Sequence, residues 1–114
     1  MTLKGPEDDV RRGDGWHGWI GYHTPVIGEG VVNGCKWSFY ARGDVWALNI
    51  AGRPGDDPDS VGITVAGWSA QGQTPTRNGA GWMEPDEAWR HVASAFEKLR
   101  RGELRWVEPG TPGF

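Results

Sequence analysis

The sequence predicts an α+β fold in which an antiparallel β-meander of four to five strands is followed by one C-terminal α-helix, packed on one face of the sheet, and a short last strand. Two tight-turn signals between alternating apolar segments predict the meander, and one amphipathic segment near the C-terminus predicts the helix. Because no repeat or linker divides the 114 residues, we expect one domain over residues 16–108, with a flexible N-terminal tail at 1–15 and a frayed C-terminal tail at 109–114.

A strand is predicted at residues 26–32, immediately before the turn signal Asn33-Gly34. This dipeptide is typical of a hairpin turn with positive φ at both central residues. In the register that the turn implies, Gly28 and Gly30 lie under aromatic rings of the following strand, which can cover the backbone that glycine exposes.

The central hairpin is predicted over residues 35–52, with Gly43-Asp44 as its two-residue turn. In this register Phe39 lies opposite Leu48, and the large apolar side chains of the hairpin fall on one face. A shift by one residue would destroy that separation. The opposite face receives a mixed set: Lys36, Ser38, Tyr40, Arg42, Val45, Ala47, Asn49 and Ala51.

The segment after the hairpin is predicted to contain a further strand and a loop. Val61, Ile63 and Val65 alternate with other residues, which favours a strand over residues 61–68. Residues 71–81 are rich in glycine and contain no aliphatic residue larger than alanine, so they predict a long, mobile loop.

The helix is predicted to begin at Glu84-Pro85, because proline suits the first helical position. Its apolar stripe comprises Trp89, Val92, Phe96 and Leu99. Gly102 is typical of the residue that follows a helix in the left-handed conformation. A short last strand is predicted at residues 104–107.

Composition limits the compartment and the partners. The formal net charge of −3 lacks the basic excess that draws proteins to nucleic acid or anionic lipid. The single cysteine, Cys35, allows no internal disulfide, and the N-terminus lacks the apolar region of a signal peptide. No segment approaches the roughly 20 apolar residues that span a bilayer. We therefore expect a cytoplasmic protein that binds neither nucleic acid nor membrane.

The sequence contains no complete catalytic, metal-binding or phosphate-binding motif. Gly28 and Gly30 fit a hairpin better than a dinucleotide fingerprint, because the third glycine of that pattern is displaced by one position. Asp56, Asp57 and Asp59 lack the spacing of an EF-hand loop and are interpreted as a solvated turn. We accordingly assign no catalytic residue, no metal ligand and no cofactor.

The 8 tryptophans are the unusual feature of this chain. In a small domain large aromatic side chains supply the core, and an excess of them also suits a stacking surface. A short strand is expected at residues 16–22. Over residues 16–23, aromatic or imidazole side chains alternate with small residues, as in a ligand site or a protein hot spot. The candidate binding residues are Trp16, His17, Trp19, Tyr22, His23, Tyr40 and Trp68.

Three functions are compatible with these features. The leading hypothesis is a small non-catalytic interaction protein that binds a protein partner, or itself, through an aromatic-rich sheet surface. The alternative is a small-molecule binding domain, oriented by His17 or His23, whose pocket is lined by Trp16, Trp19, Tyr22 and Trp68. The third hypothesis is a small enzyme that uses His17 or His23 with Glu29 as acid and base.

Overall fold

The computed structural model describes residues 9–21, 26–74 and 83–110. Its strands are β1 (Asp9–Gly13), β2 (Trp16–Gly21), β3 (Val26–Val32), β4 (Cys35–Arg42), β5 (Val45–Ala51), β6 (Gly67–Gln73) and β7 (Arg105–Val107), with a 3₁₀ helix at Pro58–Ser60 and helix α1 (Pro85–Arg100) between β6 and β7. The strands form one antiparallel sheet in sequence order. The predicted α+β fold, with one C-terminal helix on the sheet and a short last strand, is confirmed.

The predicted registers of the two central hairpins are confirmed. Phe39 lies opposite Leu48 across β4 and β5, and Gly30 lies opposite Trp37 across β3 and β4. Asn33 and Gly34 have φ angles of 51° and 81°, as their turn type requires. The alternation of buried and exposed positions therefore determines the pairing, since a slip would bring apolar side chains to the polar face.

Gly28 and Gly30 both lie under large side chains, but only one of these side chains is aromatic as predicted. A Cβ atom on Gly30 would lie 2.8 Å from Trp37 Nε1, so an aromatic ring does cover this glycine. A Cβ atom on Gly28 would instead lie 2.7 Å from Ile20 Cγ1, so an aliphatic side chain of β2 occupies the space above it. The neighbouring strand on the other side supplies this contact, which a pairwise β3–β4 register does not reveal.

The N-terminal part of the described chain forms a strand that the sequence pattern does not predict. β1 pairs with β2 over all five of its residues, although this stretch falls within the expected flexible tail at 1–15. Because Val10 is its single aliphatic residue, β1 has no apolar alternation to reveal it. Its pairing with β2 provides backbone hydrogen bonds instead. Among the described residues, six strands therefore precede the helix, rather than four to five.

The predicted strand at residues 61–68 is wrong for most of its length. The backbone N–H groups of Ile63, Thr64 and Val65 all donate to Ser60 O, at 3.0 to 3.2 Å, so this stretch is a compact turn. Ile63 is 66% exposed as a result. The strand begins later, at Gly67, and includes residues 71–73 of the predicted loop. Residues 75–81 of that loop lie outside the described residues.

The helix has the predicted limits. Glu84 is its N-cap, Pro85 is its first residue, and the acidic residues of the first turn complement the helix dipole. Gly102 has a φ of 71°, and its N–H donates to Leu99 O at 3.1 Å. These contacts end the helix in the left-handed conformation that glycine adopts without strain.

One face of the sheet forms the core with α1. Trp16 of β2 lies 5.5 Å from the ring of Trp89 and 5.5 Å from that of Phe96, both on the helix. Trp37 of β4 meets the same two helix rings edge-on. The remaining buried residues of this core are mainly aliphatic: Ile20, Val26, Val32, Leu48, Ile50 and Val92. Much of the aromatic content of this chain is thus used to fill the space between sheet and helix.

Candidate functional site

The sheet face opposite the helix carries several exposed apolar side chains. Tyr40 is 45% exposed, Val45 is 43% exposed and Val10 is 51% exposed. The alternation along each strand places these three residues on the side away from α1. We call this side the uncovered face. Several exposed apolar side chains on one side of the sheet make this face a candidate interaction surface.

The uncovered face contains a groove of about 460 Å³. It lies where β2, β3 and β4 meet the segment that carries the 3₁₀ helix. Its lining residues are His17, Gly18, Trp19, Glu29, Gly30, Val31, Lys36, Trp37, Gly55, Asp57, Pro58 and Asp59. A concave site with one large ring and several charged groups has the general form of a recognition site.

The floor of the groove is built by cross-strand neighbours. Trp19 of β2 lies directly opposite Glu29 of β3, so their side chains stand side by side on the same face. Val31 lies opposite His17 on one side and Lys36 on the other. The meander therefore brings together floor residues that are up to 19 positions apart in the sequence, from His17 to Lys36.

The wall of the groove is the 3₁₀ helix. Pro58 is buried, and the helix lies against β4 and β5. The Asp57 carboxylate accepts hydrogen bonds from Asp59 N at 3.0 Å and from Ser60 Oγ at 3.2 Å, and so caps the short helix. This cap holds the Asp57 carboxylate at the groove, and Asp59 presents an exposed carboxylate beside it.

The structure separates the predicted site residues into two groups. His17, Trp19 and Tyr40 lie on the uncovered face, whereas Trp16 and Trp68 lie on the helix side. Trp16 and Trp19 are three positions apart in a strand, so their side chains leave opposite faces and do not line a common pocket. Tyr22 and His23 lie outside the described residues.

Trp68 contacts another tryptophan instead of a pocket with Trp19. Its ring lies 4.8 Å from that of Trp106, nearly perpendicular to it. Trp106 Nε1 donates to Glu108 Oε1 at 2.8 Å, which orients the pair at the β7 edge of the sheet. Both rings support the end of the sheet on the helix side, where Trp68 packs against the core.

Sequence reasoning did not assign Lys36, Asp57 or Asp59 to the site. The predicted β3–β4 register already implied that Lys36 would lie beside Val31 on the uncovered face. The sequence pattern of the acidic turn predicts a solvated segment, because nothing in it indicates that Pro58 is buried and brings the turn onto the sheet. The missing signal was therefore a tertiary contact.

A second cleft lies on the other side of the sheet, between α1 and β6. It has a volume of about 390 Å³, and its charged lining residues include Lys98, Arg105 and Glu103. His91 stacks on Trp46 at 4.4 Å between ring centroids, and its Nε2 lies 3.6 Å from a Glu87 carboxylate oxygen. The cationic side chains of Lys98 and Arg105 outnumber the Glu103 carboxylate in the lining, so the charge of this cleft is opposite to that of the groove.

The described residues contain no group of three or more His, Cys, Asp or Glu side chains arranged to hold a metal ion. Across residues 9–21, 26–74 and 83–110, no helix has the length and apolar character that a membrane crossing requires. Comparisons with protein-family models, with curated proteins and with solved structures give no match to this chain. The function is therefore inferred from the site itself.

Proposed function

We propose that this protein is a small non-catalytic interaction domain that binds a protein partner through the uncovered face. The observation that carries the proposal is the exposure of Tyr40 and Val45, at 45% and 43%, on the sheet side that the helix leaves open. The proposal includes a cytoplasmic location, in keeping with a chain whose single cysteine is a free thiol.

The composition of the uncovered face supports protein recognition. Tyrosine and tryptophan dominate binding hot spots because each supplies a large rigid ring with a polar group. Tyr40 lies between Ile27 and Ala47 in a cross-strand row, and Trp19 lies one row away on the neighbouring strands. Apolar side chains at the centre with charged groups beside them match the usual anatomy of an interface.

The proposal is tested by site-specific photo-crosslinking in living cells. Replacing Tyr40 with p-benzoylphenylalanine places the probe on the uncovered face and preserves an aromatic ring at that position. Ala93, exposed on α1, provides the control position. We expect a discrete covalent adduct from position 40 that disappears when Val45→Asp is added, with no such adduct from position 93. An adduct between two copies of this chain would identify the partner as the protein itself.

Two outcomes contradict the proposal: the absence of any adduct from position 40, and the same set of adducts from positions 40 and 93. Thermal melts of each variant test whether a lost adduct results from unfolding. We expect all variants to stay folded, because substitutions at exposed strand positions alter the free energy of unfolding by about 1 kcal/mol or less.

A second candidate function is small-molecule binding, which the groove of about 460 Å³ favours. His17, Trp19 and Glu29 line it together, so three of the residues considered for a ligand or acid–base site share one concavity. A metabolite library screened by thermal shift tests this candidate. A ligand that stabilises the native protein but not Trp19→Ala supports it, and a screen without any stabilising compound removes it.

A further inference from the structure

We propose that the groove binds an arginine or lysine side chain presented by a basic segment of the protein partner. This inference rests on the proposed function and specifies the chemistry of that partner. It is carried by the juxtaposition of the Trp19 ring, its cross-strand neighbour Glu29, and the two aspartates of the 3₁₀ helix wall.

The shape of the groove suits one long side chain. Its volume of about 460 Å³ is that of a small ligand rather than of a folded element. Val31 and Pro58 provide apolar contacts for a methylene stem, and charged groups stand around them. Arginine and lysine have this division between an apolar stem and a charged end.

The Trp19 ring provides the first attraction for a cation. Tryptophan is the best cation–π partner among the aromatic residues, and the interaction is favourable within about 6 Å of the ring centroid. The same chemistry occurs elsewhere in the described part of this chain, where the Arg11 guanidinium lies 5.6 Å from the ring centroid of Trp89. On the uncovered face, Glu29 stands next to Trp19, so a cation over the ring also meets a carboxylate.

The charges of the groove favour a cation. Glu29, Asp57 and Asp59 oppose the single cation Lys36 among the lining residues. Within the described part of the chain, the side chains of Glu29 and Asp59 make no ion pair or hydrogen bond, so both carboxylates are available to a partner. A basic segment gains complementary contacts there, whereas an acidic one is repelled.

The experiment is an NMR titration of the intact protein that follows the indole N–H signals. The probe is the peptide acetyl-Gly-Arg-Gly-Arg-Gly-amide, and the matched control peptide carries citrulline in place of each arginine, which keeps the shape and removes the charge. Trp19→Phe identifies the Trp19 signal. We expect the arginine peptide to shift the Trp19 signal and the citrulline peptide to leave it unchanged.

Charge variants locate the binding site. Glu29→Gln and Asp59→Asn are each expected to weaken peptide binding about threefold to tenfold, the usual scale for one favourable charge contact. Asp44→Asn makes the same change in net charge at the β4–β5 turn, outside the groove, and is expected to leave the dissociation constant unchanged. Added salt should weaken binding of the arginine peptide.

Several results would overturn the inference. These are equal shifts with both peptides, an equal effect of Asp44→Asn and Glu29→Gln, or tighter binding of free spermidine than of the peptide, which would assign the groove to a small cation. The test is separable from that of the proposed function. A Tyr40 adduct without a peptide shift removes this inference alone, whereas a peptide shift without any Tyr40 adduct removes the larger interface and retains the groove.

Discussion

The Trp37 indole of β4 packs against Gly18 of β2, two strands away. A Cβ atom on Gly18 would overlap Trp37 Cζ2 and would lie 2.6 Å from Glu29 O, so no side chain fits there. Trp37 Nε1 donates a hydrogen bond to His17 O at 3.2 Å, which fixes the indole over this strand. The Trp37–Gly18 contact thus joins the three strands that form the floor of the groove.

Gly18→Ala is expected to destabilise the protein by about 1 to 3 kcal/mol, the usual range for overpacking a filled core. Urea denaturation of the variant and the wild type measures the change in the free energy of unfolding. Trp37→Phe replaces the indole with a smaller ring, so adding it to Gly18→Ala should recover part of that loss. A double-mutant cycle measures this recovery as a coupling energy between the two positions. A Gly18→Ala protein as stable as the wild type would contradict the close contact.

Gly102→Ala tests the end of the helix. The φ of 71° at Gly102 is costly for a residue with a Cβ atom, and no other atom lies within 4 Å of the position that such a Cβ would take. The expected loss of about 1 kcal/mol is therefore purely conformational. Thermal unfolding measures it, and Gly102→Asn provides the control, because asparagine tolerates this region and should cost less. Equal stability of the alanine variant would contradict the assigned cap.

The two faces of the sheet should respond differently to truncation. Leu48 is fully buried beneath α1, so Leu48→Ala is expected to cost about 2 to 5 kcal/mol. Val45 lies on the uncovered face of the same strand, and Val45→Ala is expected to cost about 1 kcal/mol or less. Denaturant melts of the two variants provide the comparison. Similar losses would mean that the uncovered face is packed in solution.

The Cys35 thiol is expected to react slowly in the folded protein. Burial, and then the negative charge of Asp56, raise its pKa above the ordinary value. Less of the thiol is then ionised at pH 8 than in the unfolded chain, and the thiolate is the reactive form. The alkylation rate with iodoacetamide should be lower in native buffer than in urea, and it should rise in Asp56→Asn. A native rate equal to the unfolded rate would contradict this assignment.

Local rules explain why much of the fold is predictable. The turns Asn33-Gly34 and Gly43-Asp44 have the required backbone, and the alternation between them leaves one acceptable register. The helix has both its proline start and its glycine stop. These features depend on neighbours within a few residues. The sequence by itself therefore determined the two central hairpins, the helix, and the sides of β3, β4 and β5 that carry the apolar residues.

The tertiary structure alone decided the rest. β1 and β6 form because a neighbouring strand offers hydrogen bonds, although their own residues show little alternation. The apolar alternation of Val61, Ile63 and Val65 is overridden by hydrogen bonds to Ser60 O. Only His17, Trp19 and Tyr40 among the described candidate residues lie on the uncovered face, since strand parity separates them from Trp16. The groove depends on the burial of Pro58, a long-range contact that brings Asp57 and Asp59 to the groove that Trp19 also lines, and no local pattern encodes such a contact.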